Sequence, residues 1–384
     1  MHKDLYNTSR LDDRIAKVVI FLMAIGTVFV FSASTSLDQA FDFSRFYAYV
    51  SVRQILFFPI ACAVMYLVSL FDHTHLSFSR GFFRSWTPFL LLLSIGLCAA
   101  VLIPGIGVEK NASRRWFSVG VGSVAINFQP SEFAKWATLF FVAATCARLK
   151  FRLRSFWLHL LPICLVICLV VGLIVKEDLG TAVLIALVSY LMLCVGGGKW
   201  WHLISPVPVG AAAFYFLIMK VPYRKERLLG FLDPEKWVDV MYQANQSLVA
   251  MGSGGVLGKG LGKGICKYGH VPEDTTDMVF AIIGEELGLV GTMALIVIFI
   301  YLLWLGLRVI LKCQNGFSQL LATGIVLTLG IQAAINIGVA TVVLPTKGIP
   351  LPFISAGGSS LLMSAAAAGV LLNIAKQAEL HDSE

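Results

Sequence analysis

The sequence predicts an all-α polytopic membrane protein: one integral domain over residues 1–384, built as a bundle of about ten transmembrane helices. Apolar residues make up 58% of the chain and charged residues only 14%, too little polar surface for a water-soluble globule. Apolar windows of about 17 to 25 residues, the length a helix needs to cross hydrocarbon, recur from end to end and leave no room for a sizeable soluble domain.

The windows run over roughly 15–34, 52–70, 88–104, 130–147, 157–175, 180–196, 203–220, 278–306, 318–340 and 358–374. The first ends in "FSAS" and could pass for a secretory signal, but no soluble domain follows, so it is expected to remain as the first span. An even number of spans puts both termini on one side. The basic turn "RLKFRLR" from Arg148 to Arg154, with Lys3, Arg10, Arg14 and Lys17, marks that side as cytoplasmic.

The outer connections then include two basic ones. Lys110, Arg114, Arg115 and Lys135 fall in or beside the third-to-fourth connection; Arg224, Lys225, Arg227, Lys236, Lys259, Lys263 and Lys267 fall in the seventh-to-eighth. The net charge of +8 is therefore partly an outward-facing cationic surface, suited to an anionic partner at the membrane and not to nucleic acid. Of the eight cysteines, only Cys266 lies in an outer loop, so no disulfide framework is expected.

Polar chemistry concentrates at the outer helix ends. In "FQPSEFAK", Pro130 stands where a helix begins, its missing N–H costing nothing at the first helical position. Glu132 and Lys135 follow three apart on one face, behind Arg114 and Arg115. Two explanations stay open: a salt bridge that anchors the helix, or a site for a phosphate-bearing ligand that uses the cations and the helix end. Trp116 and Trp136 read as interface anchors. "KEDLGTA" opens the sixth span with Asp178 as its cap.

The outer loop 221–276 is the long non-spanning segment. Trp237, Met241, Ala244 and Leu248 recur at helical spacing and predict an amphipathic helix lying flat on the bilayer. "GSGGVLGKGLGKG" follows, with seven glycines in thirteen residues. It is not a nucleotide P-loop, because Ser253 and Gly260 stand where that motif needs Gly and Ser or Thr. A hinge and a close backbone approach remain.

"VPEDTTDMVFAIIGEELG" places Glu273, Asp274, Asp277, Glu285 and Glu286 against the eighth span. Helix carried back to Asp277 would put it on one face with Ala281, Gly284, Gly288 and Gly291, a small-residue seam facing the bundle. Asp274 or Thr276 already supplies a cap, which leaves Asp277 as a candidate general base; Glu285 and Glu286 are expected to pair with groups on neighbouring spans. In "LPTKGIPLPFISAGGSSLL", Pro350, Pro352, Gly357 and Gly358 break the backbone at membrane depth, so the segment must line a cavity or be buried in protein. Ser359 and Ser360 at the next helix start can bind an anion or cap.

Together "RRWFSVG", "FQPSEFAK", "EDLGTA", "YQANQSLVAMGSGGVLGKGLG", "VPEDTTDMVFAIIGEELG" and "GIPLPFISAGGSSLL" resemble the SEDS family of bacterial cell-wall glycosyltransferases over nearly the whole chain. "FSAS" and "LPTKG" are more similar to its FtsW division branch than to its RodA elongation branch. The resemblance implies a ten-span enzyme that polymerises lipid II on the outer face of the cytoplasmic membrane. It implies a cognate class B penicillin-binding protein and other division proteins as partners, with localisation at the septum. It also implies that Asp277 is the essential acid and that Glu132, Lys135, Arg114 and Arg115 are functional. The chain departs from the family pattern at Thr275 (commonly His), Met278 (Phe), Ala356 (Tyr) and Glu177 (Pro).

On this reading Asp277 takes the proton of an acceptor sugar hydroxyl, and Lys135, Arg114 and Arg115 receive a departing diphosphate. A divalent cation held by Asp277 and Glu132 is an alternative stabiliser. The rival readings are a lipid II flippase and a non-catalytic division scaffold.

Overall fold

The computed structural model describes residues 10–34, 50–110, 113–121, 124–149, 153, 155–266 and 275–382. Lys3, Lys17's upstream neighbours before Arg10, Lys267, Glu273, Asp274 and most of the basic turn after Leu149 lie outside the described residues. Helices form at all ten expected spans. In chain order they are α1 (Leu11–Ser34), α2 (Val50–Leu70), α3 (Thr87–Val101), α4 (Pro130–Arg148), α5 (Leu161–Val175), α6 (Leu179–Val195), α7 (Trp200–Ile204) with α8 (Pro206–Met219), and, after α9 (Pro222–Leu232) and α10 (Tyr242–Gly254), α11 (Val279–Lys312), α12 (Gly316–Ala340) and α13 (Gly358–Asp382).

Among the described residues seven helical stretches are long and apolar enough to cross a membrane, and α3 and α6 are shorter apolar helices. The protein is a multi-pass membrane protein. The start of α1 and the last turns of α13 meet on one side: the Leu11 N–H donates to Glu379 Oε1 at 2.8 Å. The α2–α3 connection sits on that side too, where the His73 ring contacts Asn373 Oδ1 at 2.7 Å and Ser318 Oγ at 2.6 Å. These contacts fit the alternation that an even number of spans requires.

Burial sorts the helices. In α13 72% and in α12 61% of the most apolar window is buried inside the protein, against 11% in the α7–α8 stretch, which Pro206 divides. The apolar side chains of α8 are therefore left to face lipid. The centre is formed by α4, α12 and α13, with α4 packed on α3, α6 and α12, and α2 lying along α13.

The third-to-fourth connection differs from the all-α expectation. It folds into a small antiparallel sheet of β1 (Val108–Lys110), β2 (Ser113–Val121) and β3 (Val124–Phe128), with Phe117 opposite Phe128 and Val121 opposite Val124. Alternating β-branched and aromatic residues in "RRWFSVGV" and "VAINF" favour paired strands once the chain has left the hydrocarbon.

The loop after α8 also corrects the sequence reading. Trp237 and Met241 both precede α10, so the expected stripe is not one face of a single helix. The helix buries Ala244, Ala250 and Gly254, packing mainly on α11, while the Ser247 hydroxyl donates to Ala340 O of α12 and Leu248 is exposed. Small residues win here because Gly254 approaches the backbone of Gly284 and Glu285 too closely for any side chain.

The glycine-rich segment resolves into the close-approach alternative. Lys259 N donates to Glu285 O at 3.0 Å, Gly260 N to Glu286 O at 2.9 Å, and Leu289 N to Gly255 O at 2.9 Å. These bonds satisfy groups freed where α11 breaks at Gly288, whose φ of +66° and contact with the Gly258 backbone both require glycine. The predicted seam is thus interrupted: α11 starts at Val279, Asp277 lies in the preceding turn, and Gly291 lies beyond the break.

Candidate functional site

The site is built where α4, α12, α13 and the turn before α11 end on the side opposite the termini. Pro130 opens α4 as expected, and Gln129 precedes it with its amide directed to Ser131 Oγ (3.0 Å) and Asp178 Oδ2 (3.1 Å). Asp178 caps α6, accepting from Thr181 N at 3.0 Å and Thr181 Oγ1 at 2.7 Å. Ser359 joins α13 to the same corner: its hydroxyl accepts from Gln129 N at 3.1 Å and donates to Asn127 O at 3.0 Å. Ser360, beside it, is half-buried.

Glu132 and Lys135 take the geometry of the anchoring alternative. Their side chains are 3% and 2% exposed and 2.9 Å apart, and the Lys135 amine also donates to Gln332 Oε1 at 2.9 Å. An ion pair so enclosed between α4 and α12 is out of reach of a bulky ligand. Trp136 is buried as well, so it is not an interface anchor.

Asp277 is half-buried at the end of the turn that leads into α11. The 341–357 connection runs back into the protein beside it: Leu351, Phe353 and Ile354 are buried, and an added Cβ at Gly26, well inside α1, would lie 2.5 Å from Ile354 Cα. The broken backbone is thus covered by protein at depth, as hydrocarbon demands. Phe353 holds a φ of +66° there. Two departures from the family pattern meet in this region, since Ala356 N donates to Thr275 O at 2.8 Å.

Cations converge on Lys347. This residue precedes Gly348, where an added Cβ would lie 2.9 Å from Asp277 Oδ2. Burial, then the charges of Arg224 and Arg227, push the Lys347 amine down to about 8, with Asp178 opposing and Arg115 adding to the repulsion. Arg224 is lowered in turn by burial and then by Arg115. Its guanidinium donates to Val175 O and Lys176 O at 2.8 and 2.7 Å, covering the α5 end, and Arg227 donates to Thr346 O at 3.2 Å. The Arg115 Nε is buried without a hydrogen-bond partner.

Arg114 faces outward, its guanidinium 3.2 Å from Glu109, while its backbone N–H donates to Glu177 Oε2 at 2.8 Å. Glu177, one of the departures, therefore fixes β2 in place. A small open pocket lies here, lined by Arg114, Arg115, Ser131, Glu177 and Asp178 among others.

The sequence missed Lys347, Arg224 and Arg227. Their charge was visible, but their meeting depends on packing residues more than a hundred positions apart, which no local pattern carries. Glu285 and Glu286 are both fully buried: Glu286 is held as expected by a neighbouring span, through Ser32 of α1 (2.6 Å), whereas Glu285 is held by the glycine-rich loop, through Lys259 (2.7 Å), Ile265 N and Cys266 N. Glu132, one of the two acids suggested for a metal, is bonded to Lys135. Among the described residues no three His, Cys, Asp or Glu side chains assemble around one point.

Four mutually repelling cations, Arg115, Arg224, Arg227 and Lys347, thus gather at one face of a multi-pass helical bundle, an arrangement suited to an anion. The chain belongs to the SEDS family: residues 13–380 match the FtsW/RodA/SpoVE family, described as cell cycle protein. It is 36% identical to Stage V sporulation protein E of Bacillus subtilis, covering 94% of this chain and 95% of that one. It is 35% identical to the probable peptidoglycan glycosyltransferase FtsW of Geobacter metallireducens, covering 97% and 96%. Among solved structures it resembles a chain of a peptidoglycan synthase complex that coordinates polymerization and crosslinking, with a TM-score of 0.75 at 27% identity over 97% of this chain and 99% of that one. The rod shape determining protein RodA of Thermus thermophilus matches with a TM-score of 0.65 at 25% identity over 97% and 98%.

Proposed function

We propose that this protein is a peptidoglycan glycosyltransferase that polymerises lipid II, the undecaprenyl-diphosphate-linked disaccharide-pentapeptide, on the outer face of the cytoplasmic membrane during septal wall synthesis. The observation that carries this reading is the Asp277 carboxylate seated against Gly348, in the segment whose Lys347 amine lies within the field of Arg115, Arg224 and Arg227. The family and the relatives named as glycosyltransferases support it.

Asp277 takes the proton of the acceptor sugar's 4-hydroxyl. The freed oxygen bonds to the anomeric carbon of the donor from the face opposite the diphosphate, and the bond from that carbon to the diphosphate oxygen breaks with inversion. The electron pair leaves on undecaprenyl diphosphate. Cations already fixed in a partly desolvated site stabilise this growing charge more than they stabilise the bound donor. Arg115, Lys347, Arg224 and Arg227 supply that charge, and Arg114, Ser359 and Ser360 border the same corner. Glu132 and Lys135 support the site from behind.

A class B penicillin-binding protein that crosslinks the product strands is the proposed partner, supported by the likeness to a synthase complex that couples the two activities. The test is polymerisation of purified lipid II by the purified chain, with and without that partner. Glycan strands that depend on this chain are expected. Transfer of lipid II across vesicle bilayers without strand formation would make the protein a flippase instead.

A further inference from the structure

Two amide side chains on α12 hold the loops that carry the acid and the amine. Gln332 and Asn336 are four residues apart, hence on one helix face, and each is 1% exposed. Asn336 Nδ2 donates to Asp277 O and to Ile349 O, both at 2.8 Å, so one amide bridges the Asp277 turn and the Lys347 segment. Gln332 Nε2 donates to Pro350 O at 2.8 Å, while its Oε1 accepts from Lys135.

A continuous polar chain thus runs from Glu132 through Lys135 and Gln332 to the backbone of the Lys347 segment. From the other side, the Ser355 hydroxyl donates to Thr276 O and accepts from Leu351 N. The three carbonyls held by α12 lie where water does not replace a lost donor cheaply, so the two amides decide the register of one loop against the other.

We propose that Gln332 and Asn336 are positioning residues for glycosyl transfer, fixing the Asp277 turn in register with the 346–352 segment, and that Lys135 acts through Gln332 and not on substrate. The proposal rests on the glycosyltransferase reading of this site. Purely structural amides would lower stability and leave the turnover of folded protein unchanged. Positioning amides lower kcat and leave lipid II binding nearly alone, because small displacements of reacting groups cost up to roughly 10²-fold in rate.

The experiment compares wild type with Gln332→Glu and Asn336→Asp, each full-length and purified with the class B partner. Gln332→Glu keeps an oxygen for Lys135 and removes the N–H that Pro350 O accepts; Asn336→Asp removes both of its donors with little change of shape. Lipid II kinetics and backbone hydrogen exchange are measured together.

The expected result is a fall in kcat of roughly 10- to 100-fold with KM within about twofold, and faster exchange confined to residues 275–279 and 346–352. Wild-type kcat in Gln332→Glu, a raised KM with kcat retained, or unaltered exchange in both segments would overturn the proposal. If wild type itself does not polymerise lipid II, the glycosyltransferase reading falls and exchange alone judges the clamp: local acceleration upholds it, and unchanged rates overturn it.

Discussion

The carboxylate of Asp277 rests on Gly348: a β-carbon built on that glycine would stand 2.9 Å from Asp277 Oδ2. Two loops far apart in sequence are thereby pressed together at the point where the chemistry is assigned. Gly348 is exposed, and its backbone is not in the left-handed region, so Gly348→Ala strains nothing but this contact. The variant is expected to keep its thermal stability and lose at least about tenfold in kcat, because the acid must move aside. Steady-state kinetics alongside a melting curve would reveal this; full activity would mean the carboxylate does its work from another position.

Asp277→Asn keeps the shape of the side chain and removes its ability to take a proton. Loss of a general base costs roughly 10² to 10⁴ in rate, so polymer formation is expected to drop by that factor while the protein still accumulates in the membrane. Rates near wild type in the purified system would remove Asp277 from the reaction.

How much could be read in advance follows the range of the interactions. The spans were legible because hydrocarbon imposes its length on contiguous residues, and Pro130 and Asp178 were legible because helix starts are local. The alternation in "RRWFSVGV" was available but outweighed by the helical pattern on either side. Trp237, Met241, Ala244 and Leu248 misled, because their helical spacing runs across the start of α10 at Tyr242, and the helix packs instead through small residues such as Gly254 onto α11. The Lys347 cluster was not legible at all: Arg115 of β2, Arg224 of α9 and Lys347 of the 341–357 connection meet only in the folded chain, and repulsion among like charges is not something a local pattern encodes.

The Glu132–Lys135 pair gives a prediction on stability. With side chains 3% and 2% exposed, removal of the lysine charge by Lys135→Met leaves a carboxylate buried with no counter-charge. Breaking a buried pair in this way costs about 3–5 kcal/mol, whereas replacing both partners is often close to neutral. Lys135→Met is therefore expected to melt well below wild type, and Glu132→Leu with Lys135→Met to recover most of the loss. Equal melting temperatures for the single and double variants would show that the pair contributes no such coupling.

Lys347 sets the pH dependence. Its amine is lowered from 10.5 to about 8 by burial first and by Arg224 and Arg227 next. A bound diphosphate supplies the missing counter-charge and favours the protonated amine, so binding is tightest where the amine is already protonated. Above pH 8 each further unit weakens binding by up to about tenfold, until the raised pKa of the bound state is passed. Stability runs the other way. The folded value lies below the unfolded one, so between about pH 8 and 10.5 the unfolded chain holds more proton and this residue's contribution to stability rises with pH. The apparent KM for lipid II is expected to climb through the window in which thermal stability gains. Lys347→Arg, charged throughout, should flatten the climb; the same rise in that variant would assign the titration to another group.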